Sequence, residues 1–225
     1  MTAEYRDRAG KSLEDYPRPS VAVDTALLTY DPDDPGQGLL VLEVLRELGE
    51  GWALPGTFLH EGETLERAVR RSLRTKARVR GIEPRQLHVF DRPGRDERGW
   101  VLSVGHVAVV PIEQLAGRFP DTTRLVSADS PGRLIFDHNE IIARALADLR
   151  SRYEELPDPD RLLGDTFTLR QLRQLHEAIT GEATTPDKLD TFRRRMKDRL
   201  TPVARKPISH DGVGRPAQLF RRKRG

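Results

Sequence analysis

Apolar positions divide the chain into two differently patterned parts. Val21–Tyr30 (VAVDTALLTY) and Leu39–Leu45 (LLVLEVL) are aliphatic-rich runs of strand length. Asp31–Gly38 (DPDDPGQG) separates them, and its Pro, Gly and Asp break both helix and strand. From Thr64 to Arg78 the period changes: Leu65, Ala68, Val69, Ser72, Leu73 and Lys76 fall at helical spacing, which predicts a helix with one buried side. Leu87–Asp91 and Trp100–Val110 return to a strand pattern around a polar loop, Arg92–Gly99 (RPGRDERG). Asp137–Glu155 is helical again, with Ile141, Ile142, Ala145, Leu146, Leu149 and Tyr153 recurring at three and four.

Pro157–Asp160 (PDPD) reads as a linker, because alternating prolines resist both helix and sheet. Beyond it, Leu169, Leu172, Leu175 and Ile179 mark a helix that opens at Thr166-Phe-Thr-Leu and stops at Gly181. A second helix, about Pro186–Arg199, carries Leu189, Phe192, Met196 and Leu200 on one side. Val203–Ser209 and Gln218–Lys223 can pair as a hairpin across His-Asp-Gly-Val-Gly-Arg-Pro. Helix, turn, helix, hairpin is the order of a winged helix-turn-helix. The expected organisation is an extension (1–18), an α/β (α+β) sandwich with helices covering a mixed sheet (19–155), a linker (156–165) and a winged helix-turn-helix domain (166–225), with no internal repeat.

Charge sharpens this division. The net charge of +3 conceals 12 Lys+Arg against 2 Asp+Glu in residues 191–225, so that segment carries +10 and the remainder −7. A basic module on an acidic body points to a polyanion partner, here double-stranded DNA. No apolar run approaches the length of a membrane helix, and the charged N-terminal segment lacks the apolar core of a secretory leader. The absence of cysteine excludes disulfides and cysteine-bound metal centres. A cytoplasmic protein without membrane contact is the expectation.

In the second helix of the basic module, 100° per residue puts Arg194 opposite the apolar stripe, with Thr191 near it and Arg193 and Arg195 on the flanks. Arg194 is placed to reach guanine edges, and the flanking arginines to grip phosphate. The candidate DNA-contacting residues are Thr185, Lys188, Thr191, Arg193, Arg194, Arg195 and Lys197, with His210 and Arg215 in the wing. A solvated helix face is the competing reading. The scarcity of acidic residues nearby, and a second basic cluster in the same module, argue against it.

The stretch with the most chemistry in it is Gly56–Val79, GTFLHEGETLERAVRRSLRTKARV. It resembles a Nudix box, G-x5-E-x7-R-E-U-x-E-E-x-G-U with U aliphatic, and Glu63, Arg71, Leu73 and Val79 match. The opening and late glycines fall on Thr57 and Arg78, and the three helix carboxylates on Ser72, Thr75 and Lys76. In the family those carboxylates gather around magnesium, which orients a pyrophosphate and activates water. Two hydroxyls and an ammonium do not do this, and Lys76 opposes a dication by Coulomb repulsion. Glu61, Glu63 and Glu66 lie at or before the helix start. No catalytic residue, metal ligand or cofactor is therefore assigned.

Arg95-Asp-Glu-Arg-Gly before Trp-Val-Leu-Ser-Val, Phe136-Asp-His-Asn-Glu-Ile-Ile, Phe167-Thr-Leu-Arg-Gln-Leu, Thr191-Phe-Arg-Arg-Arg-Met and Gly214-Arg-Pro-Ala-Gln-Leu-Phe extend the resemblance along nearly the whole chain. In that order they resemble the Nudix-related transcriptional regulators of NAD metabolism, the NrtR family, where Thr191 stands at a position often occupied by Asn. The resemblance implies a homodimeric repressor on a palindromic operator near NAD synthesis or salvage genes. It also implies that a NAD-related nucleotide such as ADP-ribose binds the first domain and alters DNA affinity. Trp52 and Phe58 flank the approach to the box, where an aromatic serves either to stack a base or as core. Arg92, Arg95, Asp96 and Arg98 sit in a loop suited to phosphate or ribose, or to plain solvation. Arg71 is expected to anchor the box through Glu63, and His106 and His138 to be structural. The alternatives are an ADP-ribose pyrophosphatase with an accessory basic domain, and a regulator of the same architecture serving another pathway.

Overall fold

The computed structural model describes residues 5–46, 51–203 and 217–223. β1 (Ser20–Tyr30) and β2 (Leu39–Leu45) form where the aliphatic runs require. They pair antiparallel at Leu28↔Val41, while β6 (Val101–Val109) runs parallel to β1 along its other edge. With β3 (Trp52–Ala53) beyond β2 and β5 (Arg85–Phe90) beyond β6, the order is β3-β2-β1-β6-β5. The sheet is mixed, as expected. β4 (Gly56–Phe58) pairs with β1, and β7 (Thr123–Ser127) with β2. β7 was not expected from the sequence; it is a five-residue strand whose signal comes from its partner β2 rather than from its own pattern.

The period-two alternation of a strand sends the side chains of β1 to opposite faces. Val23 and Leu27 pack with Ala68 and Val69 of α1 (Leu65–Ser72) and with Leu73 just beyond it. Ala26, Leu28 and Tyr30 pack with Ile141, Ile142, Ala145 and Leu149 of α2 (His138–Glu155). The box helix departs from the expected single helix. Its α-form ends at Ser72, and Leu73–Ala77 form a π-turn. The wider turn buries Ala77 and exposes Lys76, which the three-and-four pattern had assigned to the buried side. The turn closes on Arg78 with φ 56°, in the left-handed region where the Nudix pattern carries glycine.

The C-terminal part has β8 (Phe167–Thr168), α3 (Leu169–Thr180), α4 (Pro186–Lys197), β9 (Leu200–Pro202) and β10 (Leu219–Arg222), with the three strands ordered β8-β10-β9. α3 is opened by a Thr168/Gln171 capping box and closed by Gly181 at φ 73°, which frees the chain to turn into α4. Three boundaries differ from expectation. Phe167 and Thr168, expected to open the first helix, form β8 instead, because they pair with β10, and the helix begins at Leu169. Leu200 belongs to β9 rather than to the helical stripe, and the first wing strand is 200–202 rather than 203–209, of which residues 204–209 lie outside the described residues. β10 reaches back to pair Phe220 with Pro202 and Phe167, and this non-local register is invisible in local pattern.

The segment expected as a linker is packed. Leu162, Leu163 and Asp158 are buried, and the core on the α2 side of the sheet runs without a break through Leu163 to Phe167, Leu172, Phe192 and Met196 of the C-terminal part. Asp158 ties the junction: its Oδ1 accepts from the Tyr153 hydroxyl at 3.0 Å and from Leu162 N–H at 2.7 Å. Its Oδ2 accepts from Leu163 N–H at 3.0 Å and from Arg222 of β10 at 3.2 Å.

An edge-to-face ladder crosses the same junction, Tyr153 to His176 at 5.4 Å and His176 to Phe192 at 5.2 Å, joining α2, α3 and α4. Burial, with Arg195 nearby, lowers the His176 pKa from its usual 6.5 to about 4. Between these values the unfolded chain takes up a proton that the folded chain refuses, so stability should fall as pH falls through that window. From about pH 7.5 to 5 the loss should approach about 2 kcal/mol. Urea midpoints for the parent and His176→Phe check this: the variant should show the smaller pH-dependent shift, and equal shifts would refute it. No helix among the described residues is long and apolar enough to cross a membrane.

Candidate functional site

A cleft of about 730 Å³ opens where the first half of β1, the approach to the box, the loop after β5 and the N-terminus of α2 meet. Its floor is a buried polar cluster. Asp24 lies on the α2 face of β1, one step before Ala26. Its Oδ2 accepts from Ser103 Oγ at 2.6 Å, and His138 Nε2 lies 3.4 Å from its Oδ1. Leu54 N–H donates to His138 Nδ1 at 3.0 Å, which places the imidazole proton on Nε2, toward Asp24. Burial pushes the Asp24 pKa up, but His138, Ser103 and Arg95 together outweigh it and hold the carboxyl below its ordinary value. Gly56 makes room for this cluster: a methyl group there would sit 1.8 Å from Asp24 Oδ1.

Arg95 forms the second half of the floor. Its Nε and Nη2 donate to the two Asp137 oxygens at 2.8 and 2.5 Å, and both side chains are buried. Asp96 is buried beside it and receives the Arg98 guanidinium at 2.9 and 2.6 Å. The loop thus folds over the cleft through its charged residues. Phe58, Arg95, Asp96 and Arg98, four of the six residues expected at a ligand site, line it. Trp52 and Arg92 do not. Trp52 packs against the core with Arg124 stacked 4.2 Å over its ring, and that guanidinium bonds Glu43 at 2.7 Å. Arg92 is exposed on the loop.

Sequence reasoning missed Asp24, Arg46, Phe136 and His138 as cleft residues. His138 was read as structural, and Asp24 carried no signal beyond an acid inside an apolar strand, itself a costly placement that asks for partners. His106 is structural as expected, with Nδ1 2.8 Å from the Val104 carbonyl.

The box does not fit a divalent cation. Ser72 Oγ is buried without a hydrogen-bond partner, and Thr75 Oγ1 donates to the Arg71 carbonyl at 2.8 Å. Arg71 grips Glu63 through 2.9 and 2.8 Å bonds, also donates to Thr57 Oγ1 and the Phe58 carbonyl, and holds the Glu63 carboxyl at about 2. Glu66 pairs with Arg70 at 2.6 Å. Arg71 therefore anchors the box, as expected, and Glu63 and Glu66 are engaged by arginine.

On α4 the buried Phe192 and Met196 leave Thr191, Arg193, Arg194, Arg195 and Lys197 exposed, with Thr185 and Lys188 exposed at the helix start. Acidic residues are nearer than the charge count implied: Arg193 lies 3.6 Å from Asp190, and Lys188 3.7 Å from Glu182. Both pairs are solvent-exposed and correspondingly weak. His210 and Arg215 lie outside the described residues.

These features define a Nudix-type domain, altered at its metal positions, that shares a core with a winged helix-turn-helix. Comparison with known proteins narrows the class. A family model for the NrtR DNA-binding winged helix domain matches residues 159–222. Shewanella oneidensis NrtR complexed with a 27mer DNA superposes with a TM-score of 0.70 at 31% identity, covering 90% of this chain and 93% of that one. The NUDIX domain of the same protein complexed with ADP ribose superposes at 0.52 with 30% identity, over 63% of this chain and 95% of that one. The ADPR responsive transcriptional repressor NtrR of Acinetobacter baylyi is 28% identical over 231 residues, 98% of this chain and 89% of its own length. The chain belongs to the NrtR family.

Proposed function

We propose that this protein is a transcriptional repressor of NAD synthesis or salvage genes whose operator affinity is set by ADP-ribose bound in the Asp24–His138 cleft. It acts in the cytoplasm as a homodimer on a palindromic operator, its two recognition helices meeting half-sites about 34 Å apart. One observation carries the reading. α2 walls the cleft with His138 at one end and at the other packs Tyr153 into the ladder that reaches Phe192 of α4. A ligand that moves one end of this helix moves the seat of the recognition helix. Linkage of this kind is typically about 1–3 kcal/mol, or roughly 5–150-fold in affinity.

DNA-shift titrations with and without saturating ADP-ribose, NAD and NMN test it. ADP-ribose should move the midpoint by a factor in that range, and identical midpoints in all four conditions would remove the sensor. Arg194→Ala should weaken operator binding by about 1–3 kcal/mol and relax base preference if the side chain reads a base edge. If it contacts phosphate, the log–log salt slope should instead fall by about 0.9. Parent-like binding across salt would show that the α4 face has been misassigned.

The Nudix domain serves here as a sensor rather than a hydrolase, a reading supported by Ser72, Thr75 and Lys76. Hydrolysis of ADP-ribose to AMP and ribose 5-phosphate with magnesium or manganese should stay far below enzyme-like turnover, on the order of 1 per second. Reaching that rate would favour a pyrophosphatase instead.

A further inference from the structure

The cleft contains an aromatic arrangement that the polar floor does not require. Phe58 stands at its rim with 37% of its surface exposed, unusual for a large apolar side chain next to a pocket that could bury it. Phe136 faces it from the start of α2, on a backbone with φ 54° that bulky residues rarely adopt. The Arg98 guanidinium lies 5.1 Å from the Phe58 ring centre and 4.9 Å from that of Phe136, while Asp96 holds it by two hydrogen bonds. Arg46 approaches Phe136 at 5.4 Å.

We propose that Phe58 and Phe136 are the walls of a nucleobase slot, and that the Arg98 guanidinium, which lies against both rings, is what an entering base displaces. This deepens the reading of the cleft as an ADP-ribose site by assigning where the base goes. A guanidinium and a purine are both planar and both stack on aromatic faces, so one can stand in for the other. The left-handed backbone at Phe136 is explained if it serves to present the ring. The bonds to Asp96 give Arg98 a fixed pivot, so that its head can leave the rings without losing its buried counterion. Displaced, it remains at the mouth of the cleft with Arg46, where a ligand phosphate would lie. The filled slot lowers apparent affinity by the fraction of molecules in which it is open, which sets a threshold for response.

The test compares AMP with ribose 5-phosphate on the full-length protein by calorimetry, since the two differ by the base alone. The parent should prefer AMP. Phe136→Leu and Phe58→Leu should each cut AMP affinity about tenfold, within the range of base–aromatic stacking, and leave ribose 5-phosphate within about twofold. Phe58 is exposed, so its leucine variant serves even if Phe136→Leu fails to fold. Arg98→Ala should raise the ratio of AMP to ribose 5-phosphate affinity, because the slot is open from the start. Equal affinity of the parent for the two ligands, or binding of neither, overturns the proposal. So does an Arg98→Ala variant that loses both ligands alike, which would make Arg98 a phosphate contact. If ADP-ribose shifts operator binding while the leucine variants keep the parent ratio, the slot fails and the sensor stands. An AMP preference that responds as described, without any ADP-ribose effect on DNA, is the opposite outcome: the slot stands and the sensor fails.

Discussion

Asp158→Ala is expected to destabilise the protein by about 3–5 kcal/mol, the range for breaking a buried ion pair from one side. The carboxylate is fully buried and accepts from Tyr153, two backbone N–H groups and Arg222. Removing it strands four donors, one of them a guanidinium that is only 17% exposed. Arg222 would keep its bond to the Gly164 carbonyl and its place over the Phe167 ring, so the wing strand should loosen rather than detach. Thermal unfolding should fall by about 10 °C, at roughly 2–4 °C per kcal/mol for a chain of this size. Asp158→Asn keeps acceptor capacity on one oxygen and should lose less. A parent-like melting temperature for both variants would mean that the junction is far wetter than its burial indicates.

Arg95→Ala should cost a similar amount, and should act on the cleft. The guanidinium neutralises Asp137 directly and lies 3.7 Å from Asp24, both carboxylates being buried. Its loss leaves two acids in a low-dielectric floor with His138 as the nearest remaining compensation. Asp24 owes part of its low pKa to Arg95, so that pKa should rise in the variant. The sign follows. A carboxyl held below its unfolded value contributes stability above that value and loses it as pH falls through the folded one. In Arg95→Ala that loss should therefore be complete at higher pH and be smaller in total than in the parent. Acid-unfolding curves of the two proteins compare this directly, and superimposable curves would show that the Asp137 and Arg95 charges do not govern the floor. ADP-ribose binding should weaken in the variant even at neutral pH, because the loop bearing Asp96 and Arg98 is moored by Arg95.

The local sequence determined what depends on neighbours a few residues apart. The aliphatic-rich run Val21–Tyr30, period three-and-four in Asp137–Glu155, the stop at Gly181 and the Thr168–Gln171 cap all specify their elements without help from elsewhere. The resemblance of Gly56–Val79 to the Nudix box, with Ser72, Thr75 and Lys76 at its metal positions, was legible for the same reason: motif spacing is local. The exposed basic side of α4 could be read too, because a stripe of Leu189, Phe192 and Met196 leaves one face for solvent or a partner. Tertiary structure decided everything whose partner is distant in sequence. Asp24 becomes the floor of a cleft only when β1 and the N-terminus of α2 meet, 114 positions apart in the chain. Trp52 and Phe58, equivalent in a linear reading, separate because β3 packs one beneath Arg124 while β4 leaves the other at the rim. The proline-rich segment around Asp158 reads as a linker because alternating prolines resist both helix and sheet. Its side chains are buried nonetheless, since a buried carboxylate can satisfy donors from α2, the segment itself and β10 together, and none of those partners can be identified from the residues beside it.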